Sequence, residues 1–203
     1  MRKLGDKSAA KALARAANGK FDIVTTADPE VVREAERVVL PGVGAFADCM
    51  KGLSLVPGMI PALRDKVLKE GAPFLGICVG MQLLATVGVE FGRHAGLGWI
   101  AGEVVKITPD DPELKIPHMG WNELAFTAPD HPLVVGIKHA SHAYFVHSYH
   151  VLCSNPTDVV STTDYAQRIT AVVAHGNIMG TQFHPEKSQE TGLKLIGNFL
   201  EMD

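Results

Sequence analysis

Through the first half of the chain, short apolar runs alternate with segments whose apolar residues return every three or four positions. "FDIVTT" (Phe21–Thr26), "RVVLPGVG" (Arg37–Gly44) and "PFLGI" (Pro73–Ile77) have the length and β-branched content of strands. Between them, Lys7–Ala17 is rich in Ala, Lys, Leu and Arg and reads as a helix stopped by Asn18-Gly19. Asp28-Pro29 offers an N-cap and a first helical residue for a brief second helix. Ile60, Leu63 and Val67 form a helical stripe that ends at Gly71, and "GMQLLAT", from Gly80, opens a further helix. This alternation predicts a parallel sheet with helices on both faces.

The second half changes rhythm. "GWIAGEVVKI", "AYFVHSYHVL", "ITAVVAH" and "NIMGTQF" are strand-like and separated by short loops, which predicts an antiparallel section. His175-Gly176-Asn177 has the turn chemistry to join the last two as a hairpin. Leu193, Ile196 and Leu200 then mark a closing amphipathic helix. With no repeat, low-complexity tract or linker, the expectation is one α/β domain over residues 1–203: a doubly wound, mostly parallel sheet with an antiparallel part.

Composition narrows the function classes. The 203 residues are 46% hydrophobic and 20% charged, an ordinary globular balance with length enough for a real core. A formal charge of −3 gives no reason to expect nucleic acid or an anionic membrane as partner. No apolar run approaches the roughly 20 residues of a membrane span, and no leader is visible, so a cytoplasmic protein is expected. Three cysteines, Cys49, Cys78 and Cys153, are an odd number in a chain too large to need stapling. They favour a reducing compartment and a catalytic rather than a structural use.

Of the three, Cys78 has the telling neighbours. It lies between Gly76 and Gly80, where an apolar strand turns into a helix. A strand that turns this sharply strains its corner residue and needs small neighbours, as in a nucleophile elbow with sulfur in place of hydroxyl. The corner sets the thiol at a helix N-terminus and aims the Val79 amide at a carbonyl under attack. A thiolate needs a base, and the base an orienting group. "TQFHPEKS" (Thr181–Ser188) supplies both, His184 and Glu186, held apart by the stiff Pro185. Cys49 and Cys153 lack this glycine context and read as packing residues.

His139, His142, His147 and His150 raise the question of a metal. If Ala143–Leu152 is one strand, His147 and His150 point to opposite faces, and nothing completes a ligand set for the other two. No metal and no cofactor are expected.

Gly76-Ile77-Cys78-Val79-Gly80-Met81-Gln82 together with His184-Pro185-Glu186 resembles the class I (triad) glutamine amidotransferases, a flavodoxin-like fold. Within that family, "LPGVGAF" (Leu40–Phe46), "PHMGWN" (Pro117–Asn122) and "YFVHSY" (Tyr144–Tyr149) are similar to the glutaminase subunits of imidazole glycerol phosphate synthases. The resemblance covers residues 7 to 203. It implies that Cys78 attacks the side-chain amide of L-glutamine, giving a γ-glutamyl thioester, while His184 transfers protons and Glu186 holds the imidazole. Val43 N–H joins Val79 N–H as oxyanion donor, and glycines on both sides of Val43 let its peptide flip as a switch. Gln82, Gly44 and the backbone of Ser148 and Tyr149 bind the amino-acid head. The same resemblance implies that ammonia passes to a (β/α)8 barrel cyclase subunit, with Trp121, Asn122, Tyr144 and Lys187 at the interface. Another triad glutaminase or γ-glutamyl hydrolase of the same fold stays open as an alternative, as does a non-catalytic regulatory subunit. "PHMGWN" argues against the first and the intact Cys78, His184 and Glu186 against the second.

The start departs from this resemblance. The family opens with an apolar strand, whereas Met1–Asp6 offers none. That strand would be central, between Phe21–Thr26 and Arg37–Leu40, so its absence predicts unpaired backbone beside the core.

Overall fold

The computed structural model describes residues 7–109, 111, 113–165 and 167–202, and the expected featureless start at 1–6 lies outside them. Helix α1 (Lys7–Ala17) buries Ala9, Leu13 and Ala17 on one stripe. Helix α2 (Pro29–Glu34) begins as its sequence dictates: the Asp28 carboxylate accepts the Glu30 N–H at 2.9 Å, and Pro29 occupies the first turn. Strand β1 (Val38–Gly42) leads into helices α3 (Phe46–Ser54) and α4 (Met59–Arg64), the latter continued by a π-helical turn, Asp65–Lys69, before Gly71 at φ +76°.

Strand β2 (Phe74–Cys78) is buried along its whole length and pairs in parallel with β1, Val38 opposite Phe74 and Gly42 opposite Cys78. Helix α5 (Val79–Gln82) follows without a linker. It is a single turn, not the longer helix that "GMQLLAT" suggests. Ala85 already belongs to β3 (Ala85–Gly88), and Leu84 turns its carbonyl to the N–H groups of Trp99 and Ile100. Sheet pairing at Leu84 and Ala85 outcompetes a second helical turn.

Then come β4 (His94–Ala95), β5 (Ile100–Lys106), β6 (His118–Glu123), β7 (Ala125–Phe126), β8 (His142–His147) and β9 (Tyr149–Cys153). "AYFVHSYHVL" is therefore two strands. β8 pairs with β6 and β9 with β5, in separate sheets, and Ser148 is the corner between them. β10 (Val159–Asp164), β11 (Arg168–His175) and β12 (Ile178–Thr181) complete the main sheet, and α6 (Gln189–Leu200) closes the described fold. The β11–β12 hairpin turns at Gly176, φ +58°, as its sequence predicts.

The main sheet runs β1-β2-β12-β11-β10-β7. β1, β2 and β12 are parallel, and the remaining pairings are antiparallel. The α/β class holds, with a mixed sheet in which the parallel strands carry the elbow. Phe74, Leu75, Met81, Met179, Phe183 and Phe199 are fully buried around it. Each such side chain is worth roughly 1.5–3 kcal/mol of burial.

One expectation fails. "FDIVTT" forms no strand: Phe21–Thr26 carries no ladder pairing, and Val24 is 67% exposed. The physical reason lies beside it. Among the described residues β1 is an edge of the main sheet, and between it and residues 21–27 runs a groove of about 880 Å³. Its walls include Leu13, Phe21, Ile23, Leu40, Leu63 and Phe199. With no described strand beside it to exchange hydrogen bonds, the segment has no ladder among the described residues.

Candidate active site

Three glycines explain how the elbow is built. Gly42 lies opposite Cys78 on β1, and a Cβ added there would stand 2.7 Å from the Gly80 amide nitrogen. One added to Gly76 would meet the Gly80 carbonyl oxygen at 2.5 Å, and one added to Gly80 would lie 1.8 Å from the Leu40 carbonyl oxygen. The turn into α5 is thus pressed against β1, backbone on backbone. Cys78 absorbs the corner at φ 55°, ψ −113°, a conformation that costs a non-glycine residue about 1–3 kcal/mol and that the packing imposes.

His184 comes from the end of β12 and is 3% exposed. Its Nδ1 is 2.7 Å from Glu186 Oε1, across the tight turn Pro185–Lys187. The turn is clamped by α6: a Cβ on Gly192 would reach within 1.8 Å of the Pro185 carbonyl oxygen. It is also tied to β8, since Tyr144 O accepts the His184 N–H at 2.9 Å. Ser188 Oγ bridges the Tyr144 N–H and the His184 carbonyl. Burial by itself would lower the His184 pKa. The hydrogen bonds and charges of Cys78 and Glu186 outweigh it and carry the imidazole up to about 9. At neutral pH the ring is a cation between a sulfur and a carboxylate, the arrangement in which a cysteine attacks as thiolate.

These groups open onto a pocket of about 320 Å³, lined by Cys78, His184, Val79 and, from the loop after β1, Val43 and Gly44. Gln82, Ser148, Tyr149 and Lys187 line it too. Glu186 lies behind His184, outside the lining. Gln82 is only 3% exposed, and its Nε2 donates to Tyr149 O and to Gln182 Oε1, so the atom it presents to a ligand is Oε1.

The loop differs in one respect from the sequence reading. Gly42 is not a hinge: it lies in β1 at ordinary φ, locked against Gly80. The conformational freedom belongs to Gly44, at φ +106° with open space around it. Val43 itself is 62% exposed, and Cys49 Sγ–H donates to its carbonyl at 3.3 Å. Cys49 is therefore more than packing.

The four residues expected at an interface divide in two. Trp121 stands opposite Tyr144 on the β6–β8 pair, rings 5.9 Å apart, with Lys187 Nζ 6.0 Å from the Tyr144 ring and continuing to the pocket rim. Asn122 points the other way, its Nδ2 donating to Asp164 O at 2.8 Å and reaching His118 Nε2 at 3.3 Å.

Glu90 escaped sequence reasoning. It lines the pocket, and its carboxylate accepts the Phe46 N–H at 2.8 Å, capping α3. An acid in an irregular segment after a short strand carries no periodic signal. His118, His147 and Gln182 were also missed. All are buried, and the last donates to Cys78 Sγ at 3.8 Å.

Comparison with known proteins meets this geometry. The profile described as "Glutamine amidotransferase class-I" matches residues 9–202. The chain is 56% identical to the "Imidazole glycerol phosphate synthase subunit HisH" of Rhodospirillum rubrum over 197 residues, covering 96% of this chain and 92% of that one. It is 50% identical to the protein of the same name from Zymomonas mobilis, with 96% and 90% covered. Among solved structures, "Crystal structure of glutamine amidotransferase" superposes with a TM-score of 0.69 at 18% identity, covering 96% of this chain and 95% of that one. The glutaminase domain of Trypanosoma brucei CTPS, with bound acivicin, gives 0.66 at 14%, covering 100% and 92%. With the fold shared at low identity and the profile matched over nearly the whole length, this chain belongs to the class I glutamine amidotransferases.

Proposed function

We propose that this chain is the glutaminase subunit of imidazole glycerol phosphate synthase, releasing ammonia from L-glutamine for a cyclase subunit in histidine biosynthesis. The observation that carries the chemistry is the His184 ring, hydrogen-bonded to Glu186 at 2.7 Å and lining with Cys78 a pocket sized for an amino acid. The identity of the partner rests on the relatives of 50–56% identity and on the exposed Trp121 and Lys187 and half-buried Tyr144 beside that pocket.

In this reading Cys78 attacks the glutamine δ-carbonyl, and the tetrahedral oxyanion is met by Val79 N–H and Val43 N–H, each worth about 3 kcal/mol in the transition state. His184 donates its proton to the departing ammonia, leaving a thioester. The neutral ring then takes a proton from the water that hydrolyses it, and Glu186 steadies the imidazolium at both stages. Gln82 Oε1 and the Glu90 carboxylate face the substrate's ammonium group, alongside Gly44 and the Ser148–Tyr149 backbone. Trp121, Tyr144 and Lys187 meet the barrel-shaped cyclase where ammonia leaves, with Asn122 behind them. No cofactor takes part.

The test pairs two nitrogen sources. Mixed with the cyclase subunit and its nucleotide substrate, the chain should support synthesis from glutamine, and Cys78→Ala should abolish that activity while ammonium salts still sustain it. Glutamine-dependent synthesis that survives Cys78→Ala would overturn the assignment.

A further inference from the structure

The β6–β8 hairpin and the pocket are joined by an unbroken line of hydrogen bonds through two buried histidines. His118 is 2% and His147 6% exposed, on facing strands in register. His118 Nδ1 lies 3.2 Å from His147 Nε2, and His147 Nδ1 lies 2.9 Å from the Tyr149 carbonyl oxygen. At the other end, Asn122 Nδ2 reaches His118 Nε2 at 3.3 Å.

The direction of every bond follows from its ends. A carbonyl oxygen only accepts, so His147 carries its proton on Nδ1 and leaves Nε2 as an acceptor. His118 must then donate through Nδ1 and accept on Nε2. Asn122 Nδ2 supplies that donor, its nitrogen identified by the Asp164 carbonyl it also reaches and its Oδ1 by the Glu123 N–H. Both imidazoles are held neutral, in one tautomer. Burial pushes His118 down to about 4 and His147 to about 3, the latter further disfavoured by the charge of His184. The His118 ring is fixed between Tyr165 and Phe145, at centroid distances of 4.1 and 4.8 Å.

The line does not stop at Tyr149. Its carbonyl also accepts Gln82 Nε2, whose second hydrogen goes to Gln182 Oε1, and Gln182 Nε2 donates to Cys78 Sγ. We propose that His118 and His147 are positioning residues that transmit the state of the β6–β8 hairpin to the glutamine pocket. They do so by fixing the Tyr149 carbonyl on which Gln82 is hung. The proposal rests on reading the Cys78 pocket as a glutamine site. Because each histidine must donate in one direction, a change at Asn122 arrives as the loss of the His147 donor to the Tyr149 carbonyl, the oxygen that holds Gln82, rather than as a displacement of bulk.

Asn122→Asp tests this at a half-buried position with no change of shape. An acceptor facing His118 Nε2 demands a proton there, which turns His118 Nδ1 against the lone pair of His147 Nε2 or forces a second proton onto the ring. The probe is alkylation of Cys78 by a chloroketone of glutamine's shape, compared with iodoacetamide, which needs no amino-acid head pocket. The expected result is a roughly tenfold weaker apparent affinity for the chloroketone, with the iodoacetamide rate within about twofold of the parent. Asn122→Asp should also add nothing further in a His118→Phe background. If that double variant does not fold, long-range proton–nitrogen NMR on the parent decides, because both rings must be Nδ1–H tautomers. Unchanged chloroketone affinity in Asn122→Asp, an additive loss in the double variant, or an Nε2–H tautomer at either ring overturns the proposal. A parent whose Cys78 reacts equally well with both reagents at every concentration would instead overturn the glutamine-site reading.

Discussion

His184 and Glu186 are two residues apart in sequence and 2.7 Å apart in space, and Pro185 between them belongs to a turn pinned beneath α6. The pair is therefore set by local backbone, whereas Cys78 is brought to it by the parallel pairing of β2 with β12. An acid built locally and a nucleophile delivered by the sheet are positioned independently of each other, so each can be tested alone.

Glu186→Gln keeps the shape and removes the charge. Without the carboxylate, burial is opposed by Cys78 alone, and the His184 pKa falls from about 9. Glutamine turnover should drop by roughly a hundredfold or more, as for an orienting acid in other triads. The pH profile of Cys78 alkylation should shift with it. An unchanged profile would show that Glu186 does not govern His184.

Stability should peak near neutral pH, for opposed reasons. His118, His147 and His150 titrate near 4, 3 and 4 in the fold, below their unfolded value of 6.5, because burial disfavours the cation. The unfolded chain thus takes up protons first, and stability falls as pH drops from about 6.5 toward 4. His184 is raised to about 9, so its contribution is complete below 6.5 and is lost as pH climbs through 9. Urea midpoints measured from pH 4 to 10 should trace a dome, and His147→Asn should flatten its acid limb only.

Gly80→Ala should cost about 3 kcal/mol, since its Cβ would lie 1.8 Å from a carbonyl oxygen in a strand that cannot yield freely. Gly52→Ala in α3, where nothing stands within 4 Å, should instead stabilise by roughly 0.5–1 kcal/mol through helix propensity. Denaturation midpoints of the two variants separate packing from backbone entropy.

What could be read in advance was whatever depended on neighbours in sequence. Asp28-Pro29, the Gly176 turn and the elbow glycines acted locally and came out as expected. The steric detail at Gly80 did not, because it depends on Leu40, a residue forty positions away on another strand. "FDIVTT" has every local mark of a strand, but a strand exists only where a second one offers its ladder. "AYFVHSYHVL" shows the converse, where one continuous apolar pattern was divided at Ser148 by competition between two sheets. Glu90, Gln182 and the His118–His147 pair were illegible because their meaning lies in partners that only the fold assembles.

Among the described residues β1 pairs with β2 along one edge only, and the Val43–Gly44 loop hangs from its end. The strand that receives the elbow is thus an edge strand of the sheet. The loop is sprung from a beam clamped on one side, and how fast it can turn an amide toward Cys78 is governed by the stiffness of that beam. Any extended chain laid along the open edge would alter the enzyme's timing without touching a reacting atom.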